Sequence, residues 1–262
     1  MTGLDLGIAD RTALVCGASK GLGRACAEAL SAVGVRVVLC ARTAAPLEAA
    51  AADIAAAQGQ SVATVVADVT TEAGREAILR ACPNPDILIN NSAGPPPGRF
   101  EGWGAAEWEA ATSANMIAPI LLMRAVLGGM RARRWGRIIN ITSSAVKQPL
   151  PMLGLSNGAR AGLTGFVSTV AREVAADGVT INNLLPGRFA TDRLESYVAA
   201  VAQAEGVTPE ELSHQLRDDI PAGRFGRADE FGAVCAFLAS EHAGYITAQN
   251  ILLDGGAYPG IF

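Results

Sequence analysis

Apolar, β-rich runs alternate along this chain with segments that have the periodicity of amphipathic helices. The apolar runs predict seven strands, at residues 12–16, 35–40, 62–67, 87–89, 137–141, 180–185 and 250–253. The helical segments lie at residues 22–33, 44–58, 71–81, 105–131, 153–176, 193–217 and 228–239. Neighbouring parallel strands need long crossover connections, which helices usually provide. We therefore predict an α/β fold, in which one doubly wound, seven-stranded parallel sheet is flanked by helices.

A single domain covering residues 1–262 accounts for the whole pattern. Of the 262 residues, 50% are hydrophobic, 18% are charged and 29 are glycine, which suits buried strands joined by tight turns. The net charge of -4 gives no reason to expect binding to nucleic acid or to an anionic membrane. A small molecule is therefore the expected partner.

The cysteines, the histidines and the amino terminus indicate whether to expect disulfides, a metal site or secretion. The 5 cysteines lie far apart, without a C-x-x-C pair, so we predict buried free thiols. The 2 histidines have no companions at ligand spacing, so no metal site is expected. The start of the chain lacks the basic and apolar regions of a signal peptide, and no apolar run reaches about 18 residues, the length that spans a membrane. We predict a cytoplasmic protein.

A glycine-rich turn connects the first predicted strand to the first predicted helix. The turn reads Gly17-Ala18-Ser19-Lys20-Gly21-Leu22-Gly23, a G-x-x-x-G-x-G spacing. Glycines remove the Cβ atoms that would block the close approach of a pyrophosphate, which would meet free N–H groups at the positive end of the helix. We therefore predict a dinucleotide site that uses every residue of this turn except Ala18.

The end of the second predicted strand indicates which dinucleotide is bound. An acidic residue there would accept a hydrogen bond from the 2′-hydroxyl of NAD, and the sequence has none. Arg42 follows this strand instead, and Lys20 lies in the glycine turn, so two cations could contact a 2′-phosphate. This arrangement favours NADP(H), although each cation taken singly could be a solvated loop charge.

The motifs together resemble the short-chain dehydrogenase/reductase family, and within it the 3-oxoacyl-acyl-carrier-protein reductase-like members. The resemblance covers nearly the whole chain and implies a Rossmann-type domain. It implies that Asp68 and Val69, after the third strand, hold the adenine, and that Asn91 and Ala93, after the fourth, lie against the cofactor. The family has Asn-Ala-Gly at that last place, so either Ser92 and Ala93 replace Ala and Gly or one residue is inserted.

Two later motifs extend the resemblance. Pro186, Gly187 and Thr191 match the family's P-G-x-x-x-T segment, which implies contacts with the nicotinamide end of the cofactor. The segment 254–256, Asp-Gly-Gly, is similar to the usual close of the family's sequences.

The family's reductases are implied to use an Asn, a Ser, and a Tyr and Lys four residues apart. Asn115 fits the first position, and Ser143 fits the second, with Ser144 as the substitute if the register shifts. The tyrosine position is Ser156 and the lysine position is Arg160, which share one face of the predicted helix. The resemblance therefore predicts a substituted proton-donor site.

Serine and arginine change the chemistry that this site can perform. The family tyrosine donates a proton to the developing alkoxide, and a serine hydroxyl is a far weaker acid. Ser156 can still relay a proton from water or orient a carbonyl. Arg160 keeps the positive charge and could bond the nicotinamide ribose, but it will not give up a proton. Lys147, Tyr197, Tyr245 and Tyr258 are the other candidate donors, each also readable as a surface or packing residue.

Three functions remain open. The leading one is an NADP(H)-dependent oxidoreductase that interconverts a carbonyl compound and its alcohol, with Ser143 and Ser156 polarising the carbonyl. A second is non-redox lyase or dehalogenase chemistry on the same fold, which the intact glycine turn weakens. A third is a catalytically silent NADP(H)-binding protein.

The surroundings of the site are predicted more coarsely. Residues 189–221 are the least regular part of the chain and form either a substrate lid or an ordinary surface pair of helices. The apolar candidates for the substrate pocket are 95–97, Leu150, Met152, Leu153, Phe189 and Leu194.

A homo-oligomer, a tetramer or a dimer, is predicted from the same resemblance, with helices 105–131 and 153–176 at an interface. Gly154, Gly158 and Gly162 recur every four residues and could admit a neighbouring backbone. Close packing within the chain's own fold is the alternative reading of these glycines.

Overall fold

A computed structural model describes residues 4–261 and contains one sheet of seven parallel strands. The strands are β1 Thr12–Cys16, β2 Arg36–Ala41, β3 Ala63–Val66, β4 Ile87–Asn90, β5 Gly136–Ile141, β6 Val179–Pro186 and β7 Asn250–Leu253. Their order across the sheet is β3-β2-β1-β4-β5-β6-β7. The order reverses between β1 and β4, which is where ligands of open α/β sheets bind. The prediction of a single doubly wound, Rossmann-type domain is confirmed.

Helices cover both faces of this sheet. They are α1 Gly21–Ala32, α2 Ala44–Gln58, α3 Glu72–Ala81, α4 Ala105–Thr112, α5 Ala118–Ala132, α6 Gly154–Val174, α7 Asp192–Glu205, α8 Pro209–Asp218 and α9 Ala228–Ala239. Successive residues of β1 point to opposite faces, so Val15 packs in the core that contains Leu30 of α1 and Phe231 of α9. Its neighbour Leu14 packs in the other core, with Leu122 of α5.

Two predicted helices are each divided in two. Segment 105–131 has a wide π turn, Ser113–Ile117, between α4 and α5. Pro119, in the first turn of α5, has no N–H, so the helical hydrogen bond to the carbonyl of Asn115 is missing. Segment 193–217 breaks at Gly206, which has a left-handed φ of 72°. The next helix is started by the capping box of Thr208, whose hydroxyl accepts from the N–H of Glu211.

An asparagine ladder crosses four neighbouring strands, from the last residue of β4 to the first residue of β7. The side-chain amide of Asn90 donates to Asn140 at 2.9 Å, that of Asn140 to Asn183 at 3.0 Å, and that of Asn183 to Asn250 at 2.8 Å. These residues are also register partners in the backbone ladder. Each of these three amide groups donates to the next side-chain oxygen, while the side-chain oxygen of Asn90 has no hydrogen-bond partner. The ladder helps to hold β4, β5, β6 and β7 in register.

The three glycines of α6 pack against the chain's own side chains. A Cβ added at any of them would come within about 3 Å of a side chain from the segment 103–116, so this face has no room for a second backbone. The nearest atoms are Trp103 Cζ3 at 2.6 Å from Gly154, Trp108 Cζ3 at 3.0 Å from Gly158, and Met116 Sδ at 2.7 Å from Gly162. The interpretation of this stripe as an intermolecular contact is wrong; the oligomer itself stays a prediction.

The combined helix Ala105–Ala132 is long and apolar enough, by length and composition, to cross a membrane. It has 28 residues, and its most apolar 18-residue window has a mean hydropathy of 1.5, with 39% of that window buried inside the fold. Core helices of globular proteins meet the same criteria. Leu122, Val126 and Met130 of this helix pack in the core against the sheet.

The cysteines are free thiols, and the potential metal ligands lie apart within the described residues. The five cysteines are buried and unpaired by disulfides, as predicted: Cys16, Cys26, Cys40, Cys82 and Cys235. Within residues 4–261 no three His, Cys, Asp or Glu side chains group closely enough to hold a metal ion.

Candidate functional site

A cavity of about 860 Å³ lies at the carboxyl edge of the sheet, over the point where the strand order reverses. Most of the residues singled out from the sequence line its wall. They are Gly17, Ser19, Lys20, Gly21, Leu22, Arg42, Asp68, Val69, Asn91, Ala93, Ser143, Ser156, Arg160, Pro186, Gly187 and Thr191. Gly23 and Asn115 do not line it. The fold therefore brings segments from the whole length of the chain to one site.

The glycine turn depends on left-handed backbone conformations and on the close approach of two backbone segments. Gly17 and Gly21 have φ values of 60° and 58°, which favour glycine. A Cβ at Gly23 would lie 2.3 Å from the carbonyl oxygen of Gly17, so this glycine closes the turn from behind. A Cβ at Gly21 would meet only Thr191, at 3.9 Å, so the space in front of the turn is open. Since α1 also begins here without a side-chain cap, its first N–H groups are available to a phosphate.

The two cations predicted for a 2′-phosphate have different surroundings. Lys20 Nζ lies 2.6 Å from the Asp192 carboxylate, in an exposed ion pair that joins the glycine turn to the start of α7. Arg42 has no such ion pair within residues 4–261. Burial raises the pKa of Asp68, but hydrogen bonds from Thr70 and the charge of Arg42 outweigh it and lower that pKa. Of the two cations, Arg42, directly after β2, is therefore the one that is available to a 2′-phosphate.

The segment after β4 is tied both to the glycine turn and to the π turn. The side-chain amide of Asn91 donates to the carbonyl of Gly17 at 3.2 Å. The hydroxyl of Ser92 donates to the carbonyl of Ala114 at 2.8 Å. Ser92, the residue that departs from the resembled pattern, thus connects the end of β4 to the helix that carries Asn115.

Asn115 is buried rather than exposed to the cavity. Its side-chain amide donates to the carbonyl of Ala111 at 3.2 Å and reaches the carbonyl of Ala93 at 3.5 Å. Its side-chain oxygen lies 3.4 Å from the Ser92 hydroxyl. These contacts differ from the direct catalytic contact that the sequence suggested, and they position the backbone after β4.

Ser156 and Arg160 form a hydrogen-bonded pair on one face of α6. Arg160 Nε donates to the Ser156 hydroxyl at 3.2 Å, and Nη1 donates to the carbonyl of Ile141 at 2.7 Å. Both side chains are buried, with 5% of Ser156 and 8% of Arg160 exposed. Burial and the charge of Arg193 lower the pKa of Arg160 to about 10. The guanidinium remains charged at neutral pH.

The Ser143 hydroxyl lies at the end of β5 and accepts from the N–H of Ala145 at 3.1 Å. The Ser156 hydroxyl accepts from Arg160 in the same way. A hydroxyl whose oxygen already accepts keeps its own hydrogen for another acceptor. Both serines can therefore donate into the cavity.

Arg193 is a site residue that the sequence reasoning missed. It is the second residue of α7, it lines the cavity, and its Nη2 donates to the carbonyl of Pro95 at 2.7 Å. The residue as a whole is exposed, but partial desolvation of its guanidinium lowers its pKa. A basic residue just after the P-G-x-x-x-T match was the available signal.

The alternative proton donors separate into two groups. Tyr197 and Tyr258 line the cavity, whereas Lys147 and Tyr245 do not. Burial raises the pKa of Tyr197, a charge on Arg188 lowers it, and the net shift is upward. An upward shift makes this phenol a weaker acid than a free tyrosine.

Some of the apolar residues predicted for the substrate pocket line the cavity, and others do not. Leu150, Leu153, Phe189 and Leu194 line the cavity. Residues 95–97 do not. Met152 does not either, because it packs with α7 and α8.

Segment 189–221 contains α7 and α8, which have a small apolar core of their own. Its buried members are Val198, Val201, Ala202, Leu212 and Leu216. The members of this segment that line the cavity are Phe189, Thr191, Asp192, Arg193, Leu194, Ser196, Tyr197, Asp219 and Ile220. The least regular part of the sequence is thus a wall of the site.

Comparisons with known proteins identify the family. Residues 17–258 match the family described as Enoyl-(Acyl carrier protein) reductase. The NADPH-dependent reductase BacG of Bacillus subtilis is 32% identical over 256 residues, which cover 96% of this chain and 99% of that protein. The 3-oxoacyl-[acyl-carrier-protein] reductase FabG of Haemophilus influenzae is 35% identical over 254 residues, covering 95% and 98%.

A solved structure of a reductase is similar to this fold over nearly the whole chain. The L-sorbose reductase of Gluconobacter frateurii, complexed with NADPH and L-sorbose, superposes with a TM-score of 0.92 at 29% identity. The match covers 98% of this chain and 100% of that one. With the sheet order, the glycine turn and the cavity already described, these matches establish that the chain belongs to the short-chain dehydrogenase/reductase family.

Proposed function

We propose that this protein is an NADPH-dependent oxidoreductase that interconverts a carbonyl compound and its alcohol. The observation that carries the proposal is the single cavity in which the glycine turn and Arg42 lie at one end and Ser143, Ser156 and Arg160 at the other. The reductases that this chain resembles support the same reaction class.

The residues at the cofactor end fit NADP(H). The open space before Gly21 and the free N–H groups of α1 suit a pyrophosphate, and the absence of an acid after β2 suits a 2′-phosphate on Arg42. Asp68, Val69 and Asn91 would hold the adenosine part, and Pro186, Gly187 and Thr191 the nicotinamide part. When bound, NADPH supplies the hydride that the carbonyl carbon accepts.

The residues at the reaction end act on the carbonyl oxygen. Ser143 and Ser156 donate hydrogen bonds to this oxygen, and the buried charge of Arg160 stabilises the negative charge that develops there. Since Arg160 keeps its proton, the proton that completes the alcohol comes from water and passes through a serine hydroxyl. Asn115 acts as a positioning residue through Ser92 and Ala93.

The alternative of a catalytically silent NADP(H)-binding protein is favoured by one observation, the serine at the tyrosine position. The lyase or dehalogenase alternative is weakened because the glycine turn is intact and closely packed. Titration with NADPH followed by a carbonyl panel separates the three. Binding with turnover supports the proposal, binding without turnover supports the silent protein, and no binding supports the non-redox enzyme.

Further proposals concern assembly and surroundings. The protein is a cytoplasmic homo-oligomer, a tetramer or a dimer, and segment 189–221 is a lid over the substrate. A light-scattering mass at micromolar concentration that equals one chain would refute the oligomer. Since a lid closes over its ligands, we expect NADPH and substrate together to protect amides of α7 from hydrogen exchange. Unchanged exchange would refute the lid.

A further inference from the structure

We propose that Arg160 and Arg193 bind a carboxylate of the substrate, so that the carbonyl compound is a short oxo acid. This inference rests on the proposed function. It adds a substrate class, which neither the fold nor the family resemblance specifies.

Some of the positively charged side chains in the cavity wall form ion pairs with carboxylates, and others do not. Lys20 has Asp192 at 2.6 Å, and Arg188 has Asp219 at 3.8 Å. Within residues 4–261, Arg160 and Arg193 have no ion pair with a carboxylate, and the groups they bond to are neutral oxygens. Arg160 is buried, and a buried cation without a counter-ion is costly, because desolvation of the charge is not offset.

The two guanidinium groups also converge. Their Nη2 atoms lie 3.2 Å (Arg193) and 3.6 Å (Arg160) from the point where a Cβ on Gly94 would be. The absence of a side chain at Gly94 leaves that point free for both. The two like charges repel, since the charge of Arg193 lowers the pKa of Arg160. An anion between the two guanidinium groups would remove this repulsion. Nη2 of Arg160 makes no hydrogen bond within the described structure, so it remains available as a donor.

The place of the pair in the cavity favours the substrate over the cofactor as the source of the anion. Arg160 is hydrogen-bonded to Ser156, one of the two hydroxyls that face the carbonyl, and Leu150 and Leu153 line the same cavity. The pyrophosphate site is at the glycine turn, on α1. Guanidinium groups bind carboxylates through paired N–H donors. Because Arg160 contacts Ser156 directly, the carboxylate lies one or two carbons from the carbonyl.

The first experiment compares charged and uncharged carbonyl compounds of the same shape. The kcat/KM with NADPH is measured for 2-oxohexanoate and 3-oxohexanoate and for their methyl esters. We expect at least one acid to exceed its ester by about tenfold or more, the usual size of a charge-assisted hydrogen bond. If both esters are reduced as well as their acids, the carboxylate site is refuted and the proposed function stands.

The second experiment assigns the effect to Arg193. Arg193→Gln should lower the acid-to-ester ratio at least about tenfold, and Arg193→Lys should restore part of it. Arg172→Gln, an exposed position on α6, is the matched control and should leave the ratio unchanged. NADPH affinity is titrated in each variant. A loss of NADPH affinity in Arg193→Gln, with the ratio unchanged, would show that Arg193 serves the cofactor's pyrophosphate and would overturn the inference.

A third measurement is independent of turnover. Calorimetric titration of 2-oxohexanoate and 3-oxohexanoate into the NADP⁺-bound protein should show binding of at least one acid that Arg193→Gln weakens. If no carbonyl compound is reduced but this binding is observed, the carboxylate site stands and the proposed reaction fails. No binding of either acid would overturn the site.

Discussion

The two ends of the cavity are built in different ways. The cofactor end is made of backbone: Gly23 closes the turn so tightly that a Cβ would lie 2.3 Å from a carbonyl oxygen. The reaction end is made of side chains, chiefly Ser156, Arg160 and Arg193, which project into the cavity from α6 and α7. A backbone site can vary little without disturbing the fold, whereas side chains on a rigid scaffold can be exchanged. This difference would allow the side chains of the reaction end to vary while the glycines of the cofactor end are kept.

The largest expected effect comes from restoring the resembled side chains at the reaction end. Ser156→Tyr combined with Arg160→Lys should raise kcat on simple uncharged ketones, because a well-placed general acid contributes about 10²–10⁴-fold. Steady-state kinetics with NADPH measures the change, and NADPH affinity must be equal in both proteins. If the wild type reduces its substrate quickly and the double variant is inactive, Ser156 and Arg160 belong to a dedicated mechanism and the account of an impaired donor is wrong.

A smaller effect is expected from the cation at the cofactor end. Arg42→Asp should weaken NADPH binding by about tenfold or more, since a charge-assisted contact contributes about 1.5–3 kcal/mol. The new carboxylate could accept from the 2′-hydroxyl of NADH, so the preference should reverse. Fluorescence titration with both cofactors measures this. Equal affinity of the wild type for NADPH and NADH would contradict the prediction.

The backbone character of the cofactor end can be tested with one methyl group. Gly23→Ala should destabilise the fold by about 1–3 kcal/mol, the usual cost of overpacking, and should weaken NADPH binding. Gly165→Ala, in the middle of α6, is the control, because a Cβ there meets nothing within 4 Å and alanine favours a helix. Thermal unfolding with and without NADPH gives both quantities. An unchanged Tm in Gly23→Ala would show that the turn accommodates a Cβ at little cost, and it would contradict the prediction.

The smallest effect concerns the ion pair that joins the glycine turn to α7. Asp192→Asn should release Lys20 for the 2′-phosphate and strengthen NADPH binding by a few-fold at most, because exposed ion pairs contribute about 0–1 kcal/mol. Lys20→Gln should have little effect in the wild type and a larger one beside Asp192→Asn. If Lys20→Gln alone weakens NADPH binding strongly, the ion pair opens when the cofactor binds.

Local patterns predicted the fold because they are short-range. Strand and helix periodicity and the glycine turn each depend on residues close together in the chain, and the structure confirms the seven-stranded sheet. The division of segment 105–131 is also local, since it depends on Pro119, but the wide turn that results was not predicted.

The remaining features depend on residues that are distant in the chain. Asp192 neutralises Lys20 from 172 residues away, and Arg193 meets the carbonyl of Pro95 from 98 residues away. The glycine stripe of α6 has an intermolecular and an intramolecular interpretation that look identical in sequence, and only the position of the segment 103–116 decides between them.

The sequence by itself determined the order of strands and helices, the glycine turn, and the serine and arginine at the reaction end. The tertiary structure decided which cations are paired, that Asn115 faces inward, and that Arg160 and Arg193 meet above Gly94. The physical reason is range: backbone conformation follows from neighbouring residues, whereas the charge and shape of a site are set by which distant side chains the packed sheet and helices bring together.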